Sequence, residues 1–416
     1  MRAILCLFVL SLAAETAETV QRLKVRGYAA KKSGDAAAAL ALFEKAAEAD
    51  SSAADVQHEI GFLLAVMNRR DEAIARFDRA IQLNPRFAPA FYHIGVAYWL
   101  RQDPNSAISA LTRAVELDSK NPEYLFRLGS MFYEVSDDKK AAAHLKACVT
   151  ADPRRDDAWN LLGLTNQRQG DRKSARDAFQ KAVLLKPVNA EYRNNLGFVL
   201  VDLGDADRAL IEFNRILKRS PANEAARTNI GYAYLQKGDF ERAIGHFRQL
   251  SVDLPASPIV RYNLGLALKQ VDRLDEAKRE LREAVRLDPT LTEGFYTLGI
   301  TAWQDGQFKE AAEALRNAIS LRPAYPEAHF MLGTALKQDG DLNGAAAALR
   351  EAIRLDSTTP GPYNTLAQIL QTQGKTDEAR AMFAAAAEVK RKKEAEQVRR
   401  LGTPSTGSMA RPSTGS

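Results

Sequence analysis

The chain has 416 residues, of which 46% are apolar and 26% charged, close to the composition of an ordinary folded soluble protein. Only two cysteines occur, so a disulfide-stapled fold is not expected. The formal net charge is +6, but residues 390–416 carry seven basic and two acidic side chains and hold +5 of it. The rest of the chain is almost neutral, which argues against a nucleic-acid groove, because such a groove needs a basic stripe.

The first residues have the pattern of a secretory signal. Arg2 precedes the apolar run 3–14, which ends in small residues typical of a cleavage site. We therefore expect residues 1–13 to be removed on export to the periplasm or the cell exterior, leaving no integral membrane segment. The alternative is a cytoplasmic protein in which this stretch is the second helix of a truncated repeat, although Leu5 and Leu12 stand where the repeats below carry alanine.

Glycine recurs every 34 residues through most of the chain, which indicates a repeat array. The series consists of Gly27, Gly61, Gly95, Gly129, Gly163, Gly197, Gly231, Gly265, Gly299 and Gly333. Twelve residues after each glycine comes an alanine, and four residues later a large apolar side chain. The register predicts eleven repeats without an insertion: 20–53, 54–87, 88–121, 122–155, 156–189, 190–223, 224–257, 258–291, 292–325, 326–359 and 360–393.

The spacing inside one repeat predicts two packed helices. In the unit 156–189, Leu162 and Gly163 share one helical face, and Ala175 and Phe179 share one face of a second helix. A Gly-Asp turn separates the two helices, and a proline ends the second because it cannot donate the next backbone hydrogen bond. Neither helix can bury its apolar stripe alone, so neighbouring repeats must stack.

These residues resemble the tetratricopeptide repeat (TPR) family, whose pattern is Trp-x2-Leu-Gly-x2-Tyr, then Ala-x3-Phe, then Pro. Repeat seven carries Ile230, Gly231, Tyr234, Ala243, Phe247 and Pro255 at those positions. Asn166 replaces the tyrosine of repeat five, and Ala367 replaces the glycine of repeat eleven. The resemblance implies an all-α, right-handed superhelical solenoid of helix pairs, which binds peptides or protein segments in its concave groove.

Two further segments follow the array. The basic segment 389–401 is expected to continue the last helix as a solvated cap, and contact with an anionic surface or partner is the alternative. Residues 402–416 are rich in Gly, Thr, Pro and Ser and repeat the sequence Pro-Ser-Thr-Gly-Ser, so they are expected to be disordered.

Motifs for catalysis are missing from the sequence. It contains no Walker loop, no dinucleotide fingerprint after a strand and no Gly-x-Ser-x-Gly elbow. The five histidines are scattered over five repeats, and His58-Glu59 lacks the second histidine of a zinc-peptidase helix. We therefore expect no enzyme activity, no cofactor and no metal.

The ligand-binding face is predicted from the helical period. Counting from residue 20, 54 and so on, positions 4, 7, 8 and 11 of each repeat pack, so positions 2, 5, 6, 9, 12 and 13 point the opposite way. The TPR resemblance assigns these six positions, hereafter the groove face, to the concave groove.

Asparagines recur on the groove face. Position 6 holds Asn195, Asn229 and Asn263 in three consecutive repeats, and Asn194 lies at position 5. An amide both donates and accepts, so such a row can pair with the backbone of an extended peptide. The row resembles the asparagine ladder in the repeat region of O-GlcNAc transferases, here without a catalytic domain. The alternative is that these are solvated polar residues.

Aromatic side chains share the face. Tyr262 and Tyr296 lie at position 5, Tyr232 at position 9, and Trp99 and Trp303 at position 12. Large aromatic side chains in a groove commonly anchor partners, although contact with the adjacent first helix is the alternative.

One known binding mode is excluded by the residues at position 2. TPR domains that clamp the carboxylate end of chaperones carry lysine there, whereas the asparagine-bearing repeats have Glu191, Ala225 and Ile259. The sequence thus predicts a non-catalytic scaffold for peptide or protein segments. The alternatives are an assembly element of an envelope, secretion or pilus complex, and a non-catalytic subunit of an enzyme such as a glycosyltransferase.

Overall fold

The computed structural model describes residues 19–402, with side chains described as far as residue 396. The predicted signal segment and the Ser/Thr/Pro/Gly tail after residue 402 lie outside the described residues. Residues 19–402 fold into α-helices joined by short turns, with no strand among them.

The helices have the following bounds: α1 19–32, α2 Ala36–Ala49, α3 Ala54–Val66, α4 Arg70–Leu83, α5 Ala88–Leu100, α6 Pro104–Leu117, α7 Pro122–Glu134, α8 Asp138–Ala151, α9 Asp156–Arg168, α10 Arg172–Leu185, α11 Ala190–Asp202, α12 Ala206–Leu217, α13 Glu224–Lys237, α14 Phe240–Asp253, α15 Pro258–Gln270, α16 Leu274–Leu287, α17 Thr292–Gln304, α18 Phe308–Leu321, α19 Pro326–Asp339, α20 Leu342–Leu355, α21 Pro360–Thr372 and α22 Thr376–Gly402. Each odd-numbered helix is the first helix of a repeat, and each even-numbered helix is the second.

The described chain divides into two compact units, which we call the N-terminal unit, ending at Pro221, and the C-terminal unit, beginning at Ala222. Within each unit, a first helix packs on its own second helix, and that second helix packs on the next first helix. First helices also contact one another, as α7 does with α9 and α17 with α19. The all-α solenoid of stacked helix pairs predicted from the sequence is confirmed.

The periodic glycine lies where the two helices of a repeat come closest. A Cβ atom added to Gly231 would lie 2.4 Å from a ring carbon of Phe247, sixteen residues further along. The same clash recurs in the other glycine-bearing repeats, at 2.8 Å between Gly61 and Phe77 for example. These large residues of the second helices are buried, and Phe77 is 1% exposed. The glycine therefore has a packing role, because only its missing side chain admits the large residue.

The turn inside every repeat has a left-handed residue at its centre. Positive φ occurs at Gly34, Asn68, Gln102, Ser136, Gly170, Gly204, Gly238, Asp272, Gly306, Gly340 and Gly374. Glycine is favoured at this position because a Cβ atom is strained there. The next residue is commonly an aspartate that caps the second helix, as Asp171 does by accepting a hydrogen bond from the Ser174 backbone N–H at 3.0 Å.

The last repeat departs from this packing. Ala367 occupies the glycine position, and Phe383 is 39% exposed, whereas its counterparts in the other repeats are 0 to 1% exposed. Helix α22 continues to Gly402 and includes the basic segment 389–401. The described side chains from Lys390 onward are exposed.

Candidate functional site

The groove face is built by first helices that lie side by side, and their contacts occupy part of it. Positions 5 and 6 of successive repeats meet across this contact, 35 residues apart in sequence. A ring nitrogen of His58 lies 2.8 Å from one of His93, and the Asn195 amide donates to the Asn160 carbonyl oxygen at 3.0 Å. Positions 5 and 6 therefore also hold neighbouring repeats together.

The asparagines of the N-terminal unit take part in this network. Asn160 is 7% exposed, accepts from Asn195 and donates to Glu191 at 3.2 Å. Asn194 is half-buried and also has an interaction partner. Asn195 is half-buried and keeps its carbonyl oxygen for another donor. The predicted ladder in this unit is therefore partly satisfied by the protein itself.

The asparagines of the C-terminal unit differ from each other. Asn229 is half-buried and has an interaction partner. Asn263 is 6% exposed, and its amide makes no hydrogen bond to another described residue. A buried amide without protein partners retains its full capacity to bind a ligand backbone. Of the predicted row, Asn263 thus has the most unused hydrogen-bonding capacity, although little of its surface is exposed.

Most charged side chains on the N-terminal groove face are paired across repeats, although Asp202 makes no ion pair with a described residue and the Arg127 Nε has no hydrogen-bond partner among them. Lys31 donates to Glu59 at 2.6 Å, and the Tyr92 hydroxyl donates to Glu123 at 2.8 Å. Arg155 donates to the other oxygen of Glu123 at 2.7 Å. Burial raises the pKa of Glu123, but hydrogen bonds from Arg155 and Tyr92 more than offset it, so the pKa lies below its usual value. These charges therefore satisfy one another.

Trp99, a predicted anchor, belongs to the same network. Its indole N–H donates to Glu134 at 2.8 Å, and the Arg127 guanidinium lies 5.5 Å from the centre of its ring. In the next repeats, the Arg168 guanidinium lies 4.0 Å from the ring centre of Tyr133. Cations over aromatic faces stabilise such stacks. Trp99 thus contacts neighbouring repeats, in agreement with the alternative interpretation of the groove aromatics.

The predicted groove aromatics of the C-terminal unit are half-buried: Tyr232, Tyr262, Tyr296 and Trp303. Burial raises the pKa of Tyr262, and a hydrogen bond with Thr297 partly offsets this effect. The ring of Tyr296 lies 4.9 Å from that of Tyr325, and Tyr232 also has an interaction partner. These rings therefore contact neighbouring residues and keep part of their surface exposed.

Trp303 differs from Trp99 because its indole N–H is buried and has no hydrogen-bond partner. Two half-buried lysines, Lys269 and Lys337, occupy the same repeat position in the adjacent repeats. The next position of repeats seven to ten holds four exposed glutamines: Gln236, Gln270, Gln304 and Gln338. This part of the C-terminal groove face therefore offers amide, amine and indole groups.

The histidine pair is a feature that the sequence interpretation missed. His58 is 7% exposed, and His93 lies among the rings of Phe62, Phe77 and Tyr92. Burial, and then the neighbouring His58, lower the pKa of His93 to about 4. The 35-residue spacing would have revealed the pair, because it joins position 5 of one repeat to position 6 of the next.

A broad cleft of the N-terminal unit does not coincide with the groove face. It has a volume of about 880 Å³ and is lined by Asp78 of α4, Phe91 and Tyr98 of α5, and Ser109 of α6, among others. Its lining contains none of the groove-face positions. It lies between successive second helices, and its breadth follows from the spacing of the repeats.

Within residues 19–402, no group of three or more His, Cys, Asp or Glu side chains is arranged to hold a metal ion. None of the described helices combines the length and apolarity needed to cross a membrane.

Comparison with known proteins identifies the repeats. Residues 187–401 match the family described as the cilia and flagella-associated protein 70 C-terminal domain. Residues 59–122, 101–156 and 156–189 match models of the tetratricopeptide repeat. No curated protein matches the chain.

Solved structures share the fold. A tetratricopeptide repeat protein from Parabacteroides merdae is 13% identical, with 60% of this chain and 98% of that one covered and a TM-score of 0.54. MamA is 27% identical over 40% of this chain and 97% of its own, with a TM-score of 0.39. YrrB, described as a TPR protein with an unusual peptide-binding site, is 22% identical over 44% of this chain and 95% of its own, with a TM-score of 0.42. The chain therefore belongs to the tetratricopeptide repeat proteins, and its residues 187–401 belong to the family of the cilia and flagella-associated protein 70 C-terminal domain.

Proposed function

We propose that this protein is a non-catalytic scaffold that binds extended segments of other proteins on its groove face, chiefly in the C-terminal unit. The observation that carries the proposal is the contrast in hydrogen bonding along that face. Most charges of the N-terminal groove face pair with one another, as Lys31 does with Glu59. In the C-terminal unit, Asn263 makes no hydrogen bond to a described residue, and the glutamine row is exposed.

These groups suit a peptide backbone. An extended chain presents alternating N–H and C=O groups, and a side-chain amide can both donate to one and accept from the other. Half-buried Tyr262 and Tyr296 add apolar area beside the amides. The combination supports recognition of an extended segment and supplies no nucleophile, acid–base pair or cofactor cradle. The nearly neutral array argues against a nucleic-acid ligand, and the absence of lysine at position 2 of the asparagine-bearing repeats argues against a chaperone carboxylate clamp.

The proposal is tested with a displayed library of random peptides selected against the full chain. The best peptide is labelled, and its affinity is measured for a groove variant, Gln270→Ala with Gln304→Ala. We expect binding about tenfold weaker than for the unmodified chain, because two hydrogen bonds are lost. Since both glutamines are exposed, the melting temperature should not change.

The matched control removes two exposed amides from second helices, Gln249→Ala with Asn317→Ala. Peptide affinity should be unchanged in this control. If no peptide is selected, or if both variants weaken binding equally, the groove face is not the binding surface.

An assembly role is the second candidate, and one observation favours it: the family that matches residues 187–401 takes its name from a cilia and flagella-associated protein. An assembly element would use both faces of the helix pairs. Crosslinks from first and second helices alike would support that role over peptide binding.

Export remains part of the proposal, with cytoplasmic residence as its alternative. It rests on the sequence of residues 1–13. Cell fractionation of the full chain, with mass spectrometry of its N-terminus, tests it: a cytoplasmic protein that retains Met1 would refute export.

A further inference from the structure

The C-terminal groove face contains two lysines without an acidic partner. No carboxylate of a described residue lies within 4.0 Å of the amine of Lys269 or Lys337. Lys337 donates to the amide oxygen of Gln368 at 2.6 Å, which leaves its charge uncompensated. Burial lowers the pKa of Lys269, with no neighbouring charge opposing that effect. An incoming carboxylate would relieve the cost of burying these charges.

The surroundings of the two lysines are free of negative charge on this face. Positions 5, 6, 9, 12 and 13 of repeats seven to eleven hold no Asp or Glu. Glu293 and Glu327 occupy position 2, at the other end of the first helix. Positions 2 and 12 are about 15 Å apart along the helix axis, since each residue rises about 1.5 Å. Glu293 is moreover paired with Arg322. Acidic side chains on a ligand would therefore meet no carboxylate at positions 5, 6, 9, 12 and 13, although three aspartates follow shortly after position 13: Asp272, Asp305 and Asp339.

An apolar group lies between the two lysines. Trp303 occupies the same repeat position in the repeat between them and packs against the core of its unit. Neighbouring first helices are about 10 Å apart, so the two lysines are separated by about 20 Å across three repeats. An extended chain advances about 3.3 Å per residue, so it covers that distance in about six residues.

We propose that the groove face of repeats eight to ten binds an acidic extended segment, in which two carboxylates about six residues apart pair with Lys269 and Lys337. A hydrophobic side chain two or four residues after the first carboxylate lies on the same side of the extended chain and contacts Trp303, and Gln270 and Gln304 pair with the backbone. The inference rests on the proposed function and specifies the partner as an acidic protein segment. A nucleic-acid strand is disfavoured because its phosphates need a continuous basic stripe, whereas this face has two lysines.

The test uses two labelled synthetic peptides of equal length, with the full chain as receptor. One has glutamates six residues apart with leucines two and four residues after the first glutamate, and the other has lysines in place of the glutamates. The glutamate peptide should bind the chain at least tenfold more tightly, and its affinity should fall with added salt. Equal binding of the two peptides, or tighter binding of the lysine peptide, would overturn the inference.

Two double variants separate the groove lysines from general charge. Lys269→Gln with Lys337→Gln should weaken binding of the glutamate peptide about tenfold. The control, Lys309→Gln with Lys375→Gln, removes the same charge from exposed lysines outside the groove face and should leave affinity unchanged. Thermal melting establishes that all variants fold. Equal losses in both variants would mean that net charge, not this site, attracts the peptide.

Two further results would separate failure of the acidic-partner inference from failure of the proposed function. Displayed peptides that lack acidic pairs, yet lose affinity in the Gln270→Ala, Gln304→Ala variant, would refute the acidic partner and retain the groove. Preferential binding of a single-stranded oligonucleotide, lost in the Lys269→Gln, Lys337→Gln variant, would reassign the site to phosphates.

Discussion

The two units of the molecule use the same packing but have different groove faces. Gly61 in the N-terminal unit and Gly231 in the C-terminal unit each admit a buried phenylalanine of the second helix. On the groove face, however, Lys31 and Glu59 pair in the first unit, whereas Lys269 has no acidic partner in the second. Packing and recognition thus occupy different repeat positions, and each can be altered separately.

Because the two units pack in the same way, overpacking at the periodic glycine should destabilise both units equally. Leucine at Gly197 or Gly231 would overpack against Phe213 or Phe247, since an added Cβ lies 2.4 Å from either ring. Each substitution should lower the free energy of unfolding by about 3 kcal/mol, measured by urea denaturation. Gly245, whose Cβ would meet nothing within 4 Å, is the control. Gly245→Leu should stabilise its helix by about 1 kcal/mol, and a similar effect at Gly231 would show that the packed face is misassigned.

The histidine pair gives the N-terminal unit a pH dependence. In the folded chain the pKa of His93 is lowered to about 4, whereas the unfolded value is about 6.5. As the pH falls, the unfolded state therefore binds a proton before the folded state does. The contribution of His93 to the free energy of unfolding is fully present above about pH 6.5 and decreases as the pH falls towards 4. The loss should reach about 3 kcal/mol at pH 4. It is measured by urea denaturation at several pH values.

His93→Gln is the comparison for the pH prediction, because it removes the titrating ring from the pair. The variant should lose less stability than the unmodified chain between pH 7 and pH 4.5. Parallel stability curves for the two proteins would rule out His93 as the source of the pH dependence.

The asparagines predict unequal effects on stability. Asn195→Ala leaves the buried Asn160 without its donor and should cost about 1 kcal/mol of unfolding free energy. Asn263→Ala removes no hydrogen bond to a described residue and should change stability by less than about 0.5 kcal/mol. Thermal denaturation of the two variants measures both effects. A larger loss at Asn263 would mean that its amide serves the fold instead of a ligand.

The smallest predicted change in stability concerns the left-handed turns. The N-terminal unit has more turns that a glycine would stabilise. That unit has three turn residues other than glycine with positive φ, against one in the C-terminal unit. Gln102→Gly should stabilise the chain by about 0.5 to 1 kcal/mol, because relief of strain exceeds the added entropy of the unfolded state. Gly306→Ala should destabilise by a similar amount. Thermal melting would contradict the account if either sign were reversed.

The sequence predicted the fold because each repeat position has one packing requirement. Spacing alone placed Gly163 on the packed face of the first helix and Phe179 on that of the second, and the structure puts a Cβ added to Gly163 2.5 Å from that ring. A fixed period repeats the same local geometry, so one helix pair determines the others.

The groove was harder to predict because its side chains bond between repeats. Trp99 was predicted to lie on the groove face, but nothing in its own repeat showed that its N–H is used by Glu134, 35 residues away. The same spacing joins His58 to His93. Pairs at this spacing depend on which residues occupy two separate repeats, so a pattern within one repeat does not reveal them.

The most direct test of groove binding is a crosslinking map. The photoreactive residue p-benzoylphenylalanine is placed at Gln270 or Gln304 on first helices, and at Gln249 or Asn317 on second helices, all exposed positions of the C-terminal unit. With the best displayed peptide bound, the account predicts crosslinks from the first pair of positions and none above background from the second. Crosslinks of equal yield from both pairs, or from the second helices alone, would contradict it.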